Sequence, residues 1–268
     1  MVPCANRQTG PMRRAGTRTA ARVHEGRRAL PRAGKPCPAL RTRLTFLNGA
    51  ASVLLETTAC LPTIDPSMLS AHQLTCVRGE RTLFTGLDLA VGAGEWLHVR
   101  GGNGCGKTSL LRLLAGLASP AAGEIRWGEH PVREDLQAYH QAMLFLGHQG
   151  AVKEELTALE NLQLAAELDG ATLDEEEAIA ALHRFGLKGR EHLPVRFLSA
   201  GQKRRVLLAR LVTRKAKLWI LDEPFTALDT RAVDMLGGLV GEHLAEGGMA
   251  VVTSHQAIPL ANGKAIEL

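Results

Sequence analysis

Residues 101–108 read Gly101-Gly102-Asn103-Gly104-Cys105-Gly106-Lys107-Thr108. They fit the pattern GxxxxGK[ST], in which glycines let the backbone curl so that successive N–H groups point inward around a phosphate. The apolar segment TSLLRLLAGLA at 108–118 predicts a helix whose positive amino end lies on the same anion. We therefore expect the loop to bind a nucleoside triphosphate, with Lys107 at the β- and γ-phosphates and the Thr108 hydroxyl on Mg²⁺.

A second pattern places two acids at the end of an apolar strand. Residues 218–222 predict the strand, and Asp222 and Glu223 end it. A nucleoside triphosphatase of this type needs an acid at such a strand end to hold Mg²⁺. We expect Asp222 to reach the metal through water and Glu223 to polarise the attacking water. Many surface turns carry similar acid pairs, but the phosphate loop upstream favours the catalytic interpretation.

The apolar pattern around these motifs indicates an α/β layered fold with a mostly parallel sheet. Apolar and polar residues alternate between turn signals over 69–100, which is typical of several short strands. A further apolar strand is predicted at 249–253. Helical spacing recurs at about 134–142, 157–168, 173–185 and 202–215.

The first 66 residues differ in composition from the rest. They hold 11 Lys and Arg against three acids, a net charge of +8, while residues 67–268 carry −3. The overall charge of +5 is therefore weak evidence for nucleic-acid binding. We favour Met68 as the biological start, ahead of a plainly disordered extension. An organelle transit peptide and a basic arm for nucleic acid or anionic lipid are the other interpretations.

The cysteine spacing argues against a protein held together by disulfides or zinc, and the hydropathy argues against a membrane-spanning protein. The five cysteines are widely spaced without a CxxC, which favours neither a disulfide framework nor a zinc site and fits a reduced, cytoplasmic setting. No uncharged apolar run approaches the roughly 18 residues that span a bilayer. We expect any membrane role to come through a partner.

Residues 198–202, Leu-Ser-Ala-Gly-Gln, precede the helix predicted at 202–215. Ser199 and Gly201 would present a hydroxyl and an N–H group at a positive helix end, which is a second anion site. One chain does not need two such sites for one γ-phosphate, but two copies packed head to tail would each complete the other's pocket. This pentapeptide closely resembles the LSGGQ signature of ATP-binding cassette (ABC) ATPases.

The resemblance covers about 200 residues and implies roles for further positions. Gln149 in LGHQG resembles the Q-loop glutamine that senses Mg²⁺ and the attacking water. Asp229 in TALD resembles the D-loop that crosses the dimer interface, and His255 in TSHQ resembles the switch histidine that contacts the γ-phosphate and steadies Glu223. Seen alone, Gln149 would be a surface residue and His255 a satisfied polar one. The residues implied to act on the partner's nucleotide are Ser199, Ala200, Gly201 and Gln202.

The resemblance also implies a domain plan. We expect a P-loop NTPase fold, an ABC nucleotide-binding domain, over 67–268. It would contain a mixed core sheet, an antiparallel β subdomain at its amino end and an α-helical subdomain at about 150–200. The surface of the helical subdomain near Gln149 would dock a membrane partner.

One position departs from the family pattern. These ATPases usually stack adenine on an aromatic residue some 25 residues before the phosphate loop, and Arg78 stands at the comparable position here. A guanidinium plane can stack on a purine. We expect Arg78 at the adenine, and the alternative is an arginine simply exposed in a turn.

Four segments narrow the resemblance within the family: RTLFTGLDL, GHQGAVKEELTALENL, LSAGQKRRVLLARL and LWILDEPFTALD. Together they resemble the ATP-binding subunits of bacterial haem exporters for cytochrome c maturation. This implies Mg²⁺-dependent ATP hydrolysis coupled to transport by a homodimer of nucleotide-binding subunits. Separate integral membrane subunits would hold it peripherally on the cytoplasmic face of the inner membrane, and no nucleic acid is expected.

The haem assignment rests on this resemblance alone. The sequence has no CxxCH, and His148, beside Gln149, is the one histidine we consider for haem, although a packing role is favoured for it. The alternatives are the ABC ATPase of another transporter and a soluble ABC ATPase acting on nucleic acid or ribosomes. A phosphate-loop kinase does not account for LSAGQ or for His255.

Overall fold

The computed structural model describes residues 46–47, 50–51, 68–147, 152–255, 258, 260 and 263–268. The chain divides into two units, Met1–Cys60 and Leu61–Leu268. The described part of the first unit is an antiparallel pair of short strands, β1 (Phe46–Leu47) and β2 (Ala50–Ala51). The expectations for residues 1–66 otherwise lie outside the described residues, so the domain boundary at 66/67 stays a prediction.

The second unit interleaves strands with helices, as the apolar pattern predicts. Its strands are β3 (Leu69–Arg78), β4 (Arg81–Val91), β5 (Trp96–Arg100), β6 (Ala122–Trp127), β7 (His130–Pro131), β8 (Met143–Leu146), β9 (Leu218–Leu221), β10 (Met249–Thr253) and β11 (Lys264–Glu267). Its helices are α1 (Lys107–Leu114), α2 (Leu136–Ala142), α3 (Ala158–Leu168), α4 (Glu175–Arg184), α5 (Ala200–Leu208), α6 (Arg210–Thr213) and α7 (Thr230–Ala245). No helix in the described part of the chain is long and apolar enough to cross a membrane.

The first sheet has the order β4-β3-β6-β7, and all its neighbours are antiparallel. The apolar residues Leu69, Ala71, Leu74 and Cys76 of β3 are buried, and the polar residues between them range from buried at Ser70 to exposed at 72–73. This period of about two is what a sheet with one solvated face requires. The antiparallel β subdomain expected near the start of the domain is confirmed.

The second sheet has the order β11-β5-β10-β9-β8, and every pairing among its described strands is parallel. The expected mixed core sheet is therefore corrected, because the antiparallel strand pairs of the second unit belong to the first sheet. Parallel neighbours need a crossover, and α7 supplies the one between β9 and β10. Strands β9 and β10 are buried along their whole length, as expected when helices cover both faces.

The helices α1 to α4 lie close to their predicted ranges, and two findings differ from the prediction. The helix predicted at 202–215 begins at Ala200 and is interrupted at Ala209. Its earlier start follows from a capping box in which Ser199 and Gln202 bond each other's backbone N–H. Helix α7 was not predicted. Helices α3 and α4 lie within 150–200, the range predicted for the helical subdomain.

The parallel sheet brings three separated segments to one edge. The carboxyl ends of parallel strands meet at the same edge, where ligands of open α/β sheets bind. The phosphate loop follows β5, the acid pair follows β9, and His255 follows β10, the strand that pairs with both β5 and β9.

Candidate nucleotide-binding site

The phosphate loop connects β5 to α1 and is shaped by its glycines. Gly101 has a φ of +139° and Gly106 a φ of +114°, backbone conformations that residues other than glycine rarely adopt. A Cβ atom at Gly101 would also lie 2.6 Å from Sγ of Cys105 and 2.9 Å from the carbonyl oxygen of Leu268. Both the backbone conformation and the close packing of the loop therefore require glycine, as the motif predicts.

Lys107 is held at the loop by the loop's own carbonyl groups. Its Nζ donates to the carbonyl oxygens of Gly101 at 2.8 Å and Gly102 at 3.1 Å. The same Nζ lies 3.4 Å from Nε2 of His255, although 148 residues separate the two in sequence. The structure thus brings together two residues that the motifs place in one site.

Asp222 is almost fully buried, with 1% exposure, and both its carboxylate oxygens accept hydrogen bonds from hydroxyl groups. Thr108 Oγ1 donates to Oδ2 at 2.9 Å, and Thr253 Oγ1 donates to Oδ1 at 2.7 Å. Thr108 and Asp222 are thus in direct contact, and their shared role at a metal ion stays a prediction. Thr253 was not predicted; it is the first residue of the TSHQ segment, but nothing in that segment indicates a contact with the acid pair.

The Glu223 backbone adopts the left-handed conformation, with a φ of +51°. Its N–H donates to Thr253 Oγ1 at 2.8 Å. Its Oε1 is buried without a hydrogen-bond partner among the described residues and lies 3.5 Å from Nε2 of His255. The backbone N–H of His255 lies 3.4 Å from Oε2. Glu223 thus keeps one oxygen free to accept a hydrogen bond, next to the histidine predicted to steady it.

These residues line one cavity of about 450 Å³. The phosphate loop, the acid pair and His255 form part of its wall, and Arg78, Arg81 and Leu83 form another part. Arg78 is exposed at the end of β3 and pairs across the hairpin turn with Arg81. Arg78 is therefore at the cavity rim, where an adenine contact is possible, and Arg81 is a second cation that the sequence analysis missed.

The signature residues stand at the amino end of α5. Ser199 Oγ accepts the N–H of Gln202 at 3.3 Å, and the backbone N–H of Ser199 donates to Gln202 Oε1 at 2.9 Å. Gly201 lies inside the first turn rather than before the helix, which corrects its expected place. A Cβ atom there would lie 2.7 Å from the carbonyl oxygen of Ala227. The described residues that line the nucleotide cavity include none of these signature residues.

Asp229 joins the D-loop to α5. Its Oδ1 accepts the N–H of Ala232 and caps α7, and its Oδ2 accepts a hydrogen bond from Arg205 at 2.6 Å. The hydrogen bond from Ala232 and the charge of Arg205 lower the pKa of Asp229 below its ordinary value. The D-loop and the signature helix are thus tied to each other within one chain.

Arg204, also on α5, is a further residue that the sequence analysis missed. Its Nη2 donates to the carbonyl oxygens of Asp222 at 2.9 Å and Glu223 at 2.8 Å, and its Nη1 donates to Gly147 at 3.2 Å. The sequence KRR at 203–205 offers three adjacent cations. Nothing in that run distinguishes Arg204, the residue that contacts the backbone of the acid pair Asp222 and Glu223.

The donor set at Thr108 and Asp222 fits Mg²⁺. The two side chains supply hard oxygen atoms 2.9 Å apart, and Mg²⁺ is commonly bound by one or two protein oxygens together with phosphates and water. Within the described ranges, no group of three or more His, Cys, Asp or Glu side chains could hold a metal by itself. Gln149, the third predicted metal contact, and His148 lie outside the described residues.

Comparison with known proteins shows the family of this chain. The family model described as "ABC transporter" matches residues 84–226. The cytochrome c biogenesis ATP-binding export protein CcmA of Dechloromonas aromatica is 54% identical over 201 residues, which is 75% of this chain and 98% of the relative. The protein of the same name from Nitrosospira multiformis is 53% identical over 199 residues, 74% of this chain and 96% of the relative.

Solved structures share the fold. An ATP-binding subunit of an ABC transporter aligns with a TM-score of 0.63 and 27% identity, covering 70% of this chain and 80% of that one. A dimeric ATP-binding cassette in a post-hydrolysis state bound to ADP and phosphate aligns with a TM-score of 0.63 and 22% identity, covering 70% and 88%. The chain belongs to the ABC transporter family of ATP-binding proteins, in the group of the cytochrome c biogenesis ATP-binding export proteins.

Proposed function

We propose that this chain is the ATP-hydrolysing subunit of an exporter for cytochrome c biogenesis and that haem is the species the exporter handles. The observation that carries the chemistry is the meeting of Lys107, Thr108, Asp222, Glu223 and His255 at one cavity. The 54% identity to a cytochrome c biogenesis export protein, over 98% of that protein, supports the cellular role. Haem follows from the process, because c-type cytochromes carry covalently attached haem.

The phosphate loop binds the triphosphate in this proposal. Backbone N–H groups of residues 101–108 surround the phosphates, and Lys107, held by the loop carbonyls, directs its remaining N–H donor to the β- and γ-phosphate oxygens. Thr108 and Asp222 would hold Mg²⁺, which neutralises charge on the β- and γ-phosphates when bound. Arg78 stacks on the adenine, with Arg81 beside it.

Glu223 acts on the attacking water. Its Oε1 is free to accept a hydrogen bond from that water, and its backbone is fixed by the bond to Thr253. His255 contacts the γ-phosphate through its side chain and holds Glu223 Oε2 through its backbone N–H. Gln149 senses the metal and the water, a role supported by its place in LGHQG.

A second copy of the chain completes each site. Ser199, Ala200, Gly201 and Gln202 lie at a helix amino end that favours an anion, yet none of them lines the chain's own nucleotide cavity. Two copies packed head to tail would bring each signature to the partner's γ-phosphate, with Asp229 at the interface. A solved cassette with this fold is described as dimeric with ADP and phosphate bound.

Separate membrane subunits complete the assembly. They would dock near Gln149 and the helical subdomain at about 150–200, and they would hold the dimer on the cytoplasmic face of the bacterial inner membrane. The dimer would close around two ATP molecules and open after hydrolysis. These movements would change the conformation of the membrane subunits according to the bound nucleotide.

The Glu223→Gln variant tests this function. It removes the charge that activates water and leaves the phosphate loop intact, so we expect ATP binding and dimerisation with ATP to persist and hydrolysis to stop. Phosphate release and gel filtration with ATP measure both effects. The control is Glu176→Gln, which removes an exposed acid of α4. Hydrolysis as fast as wild type in Glu223→Gln would refute the assignment.

A pull-down with the same variant tests the cellular role. Solubilised membranes with ATP should yield the integral membrane subunits of a cytochrome c maturation system. Recovery of subunits of another transporter would retain the ATPase and reject the haem role. Recovery of ribosomal or DNA-bound proteins would instead support a soluble ABC ATPase.

A further inference from the structure

Glu223 occupies a backbone conformation that needs outside support. Its φ of +51° lies in the left-handed region, which is unfavourable for a residue with a side chain. Such conformations persist when the surrounding contacts determine them, and they concentrate at functional sites. The contacts that hold this peptide therefore control where the carboxylate lies.

Two side chains supply that support, one at the N–H group of Glu223 and one at its carbonyl group. Thr253 Oγ1 accepts the Glu223 N–H, and Arg204 Nη2 donates to the Glu223 carbonyl oxygen and to the preceding carbonyl of Asp222. Thr253 follows from the packing of β10 against β9, so it belongs to the sheet. Arg204 belongs to α5, outside the sheet, and shares the Glu223 carbonyl oxygen with the backbone N–H of Thr226.

The same guanidinium reaches a third segment. Its Nη1 donates at 3.2 Å to the carbonyl oxygen of Gly147, the residue after β8. Gln149 follows two positions later. The Arg204 guanidinium therefore joins α5 both to the backbone of Asp222 and Glu223 and to the start of the segment that carries the predicted Q-loop glutamine.

The chemistry requires an arginine. A guanidinium is a planar fork with five N–H donors, whereas a lysine ammonium is a point charge on a flexible stem. Three of the Arg204 bonds, all at 3.2 Å or shorter, end on carbonyl oxygens of two segments, which a single ammonium cannot reach in the same geometry. Burial lowers the pKa of Arg204, and the nearby Asp222 and Glu223 carboxylates oppose that shift, so the group stays charged.

We propose that Arg204 is a positioning residue that fixes the Glu223 peptide and couples it to the position of α5. Because Ser199 caps the same helix, engagement of the amino end of α5 by a partner's nucleotide would be transmitted through Arg204 to the chain's own Glu223. This inference rests on the proposed role of Glu223 in ATP hydrolysis. It assigns Arg204 no contact with the nucleotide.

Steady-state ATP hydrolysis by the full chain tests the inference with Arg204→Gln and Arg204→Lys. We expect Arg204→Gln to lower kcat by about 10- to 100-fold, the scale of a misplaced catalytic group. The Kd for the fluorescent analogue MANT-ATP should stay within about twofold, because the phosphate loop is unchanged. Arg204→Lys, which keeps the charge and loses the fork, should recover part of kcat.

The matched control is Lys203→Gln, which removes a positive charge from the same helix at a side chain that pairs with Glu154. It should hydrolyse ATP like wild type. Thermal unfolding of every variant, with assays below the lowest Tm, separates positioning from loss of fold. Unchanged kcat in either folded Arg204 variant, a loss confined to MANT-ATP binding, or an equal loss in Lys203→Gln would overturn the inference. A wild-type chain without hydrolysis would refute the proposed function instead.

Discussion

Thr253 shows how much of this site depends on a single hydroxyl group. The residue is fully buried, and its Oγ1 donates to Asp222 Oδ1 while accepting the N–H of Glu223. It thereby orients the acid proposed for the metal and the acid proposed for the water. A buried hydroxyl in such a network is costly to remove, because its partners are left unsatisfied.

We predict that Thr253→Val lowers both stability and ATP hydrolysis. The valine keeps the shape of threonine and leaves an Asp222 oxygen and the Glu223 N–H without this partner. We expect a loss of about 1–3 kcal/mol in the free energy of unfolding and a fall in kcat of about tenfold or more. Urea unfolding and phosphate release measure these. Thr253→Ser keeps the hydroxyl, and a kcat as low as that of valine would contradict the prediction.

The sequence predicts local groups of the site better than distant ones. Lys107 and Thr108 were predicted because the loop and the helix that place them are contiguous in sequence. Thr253 and Arg204 depend on which strand lies beside β9 and on where α5 packs. Those are tertiary contacts, and a threonine in MAVVT or an arginine in KRR carries no local sign of them.

At the scale of elements, α5 and the D-loop pack backbone against backbone. Gly201 leaves no room for a side chain, since a Cβ atom would lie 2.7 Å from the Ala227 carbonyl oxygen. Ala227 itself has a φ of +63°. The close approach is fixed on one side by the Arg205–Asp229 ion pair, so the two elements should move together.

We predict that Gly201→Ala separates these elements. The added methyl group forces the backbone apart, at about 1–3 kcal/mol of stability, and displaces the signature from the partner's nucleotide, so hydrolysis falls. The control is Gly238→Ala in α7, where a Cβ atom meets nothing within 4 Å. That change should raise stability by about 0.5–1 kcal/mol. Thermal unfolding and ATPase assays of both variants check this, and equal effects would contradict it.

Helix α7 shows where element prediction was incomplete. Asp229 caps it, and buried residues recur at helical spacing at Ala232, Leu236, Leu239 and Val240. Those signals were present in the sequence. The helix also contains Gly237, Gly238 and Gly241, which lower intrinsic helix propensity, so packing on the sheet rather than propensity stabilises it.

At the scale of the whole molecule, the strand order could not be predicted. The interleaved pattern indicates a parallel sheet, but the order β11-β5-β10-β9-β8 pairs strands that lie far apart in sequence. Alternation along β9 sends Trp219 and Leu221 to one core cluster and Leu218 and Ile220 to the other. In the sequence such a strand is one continuous apolar run, and the run does not indicate which strands lie beside it.

The buried imidazole of His98 and the partly buried imidazole of His243 make the stability of the fold depend on pH. His98 Nε2 lies 3.2 Å from the Ser254 carbonyl oxygen, and its Nδ1 accepts a hydrogen bond from Arg100, which leaves no place for a second proton. His243 stacks on Trp219 with ring centroids 3.8 Å apart. Burial lowers the pKa of both below the ordinary 6.5.

We therefore predict that the free energy of unfolding falls as pH decreases through about 6.5. Below that pH the unfolded chain binds protons at His98 and His243 that the folded chain does not bind, so protonation favours unfolding. Urea unfolding at about pH 7.5 and about pH 5.5 measures the fall, which His98→Gln should make shallower. An identical fall in wild type and variant would contradict the assignment to His98.

The contacts of Lys107 with its own loop have a consequence for affinity. A free lysine side chain would lose up to about 2 kcal/mol of rotamer entropy on being immobilised at a phosphate. Here the bonds to Gly101 and Gly102 already confine the ammonium beside the place where the anion binds. That ordering is complete when the chain folds, so the nucleotide meets a preorganised cation and its binding carries a smaller entropic penalty.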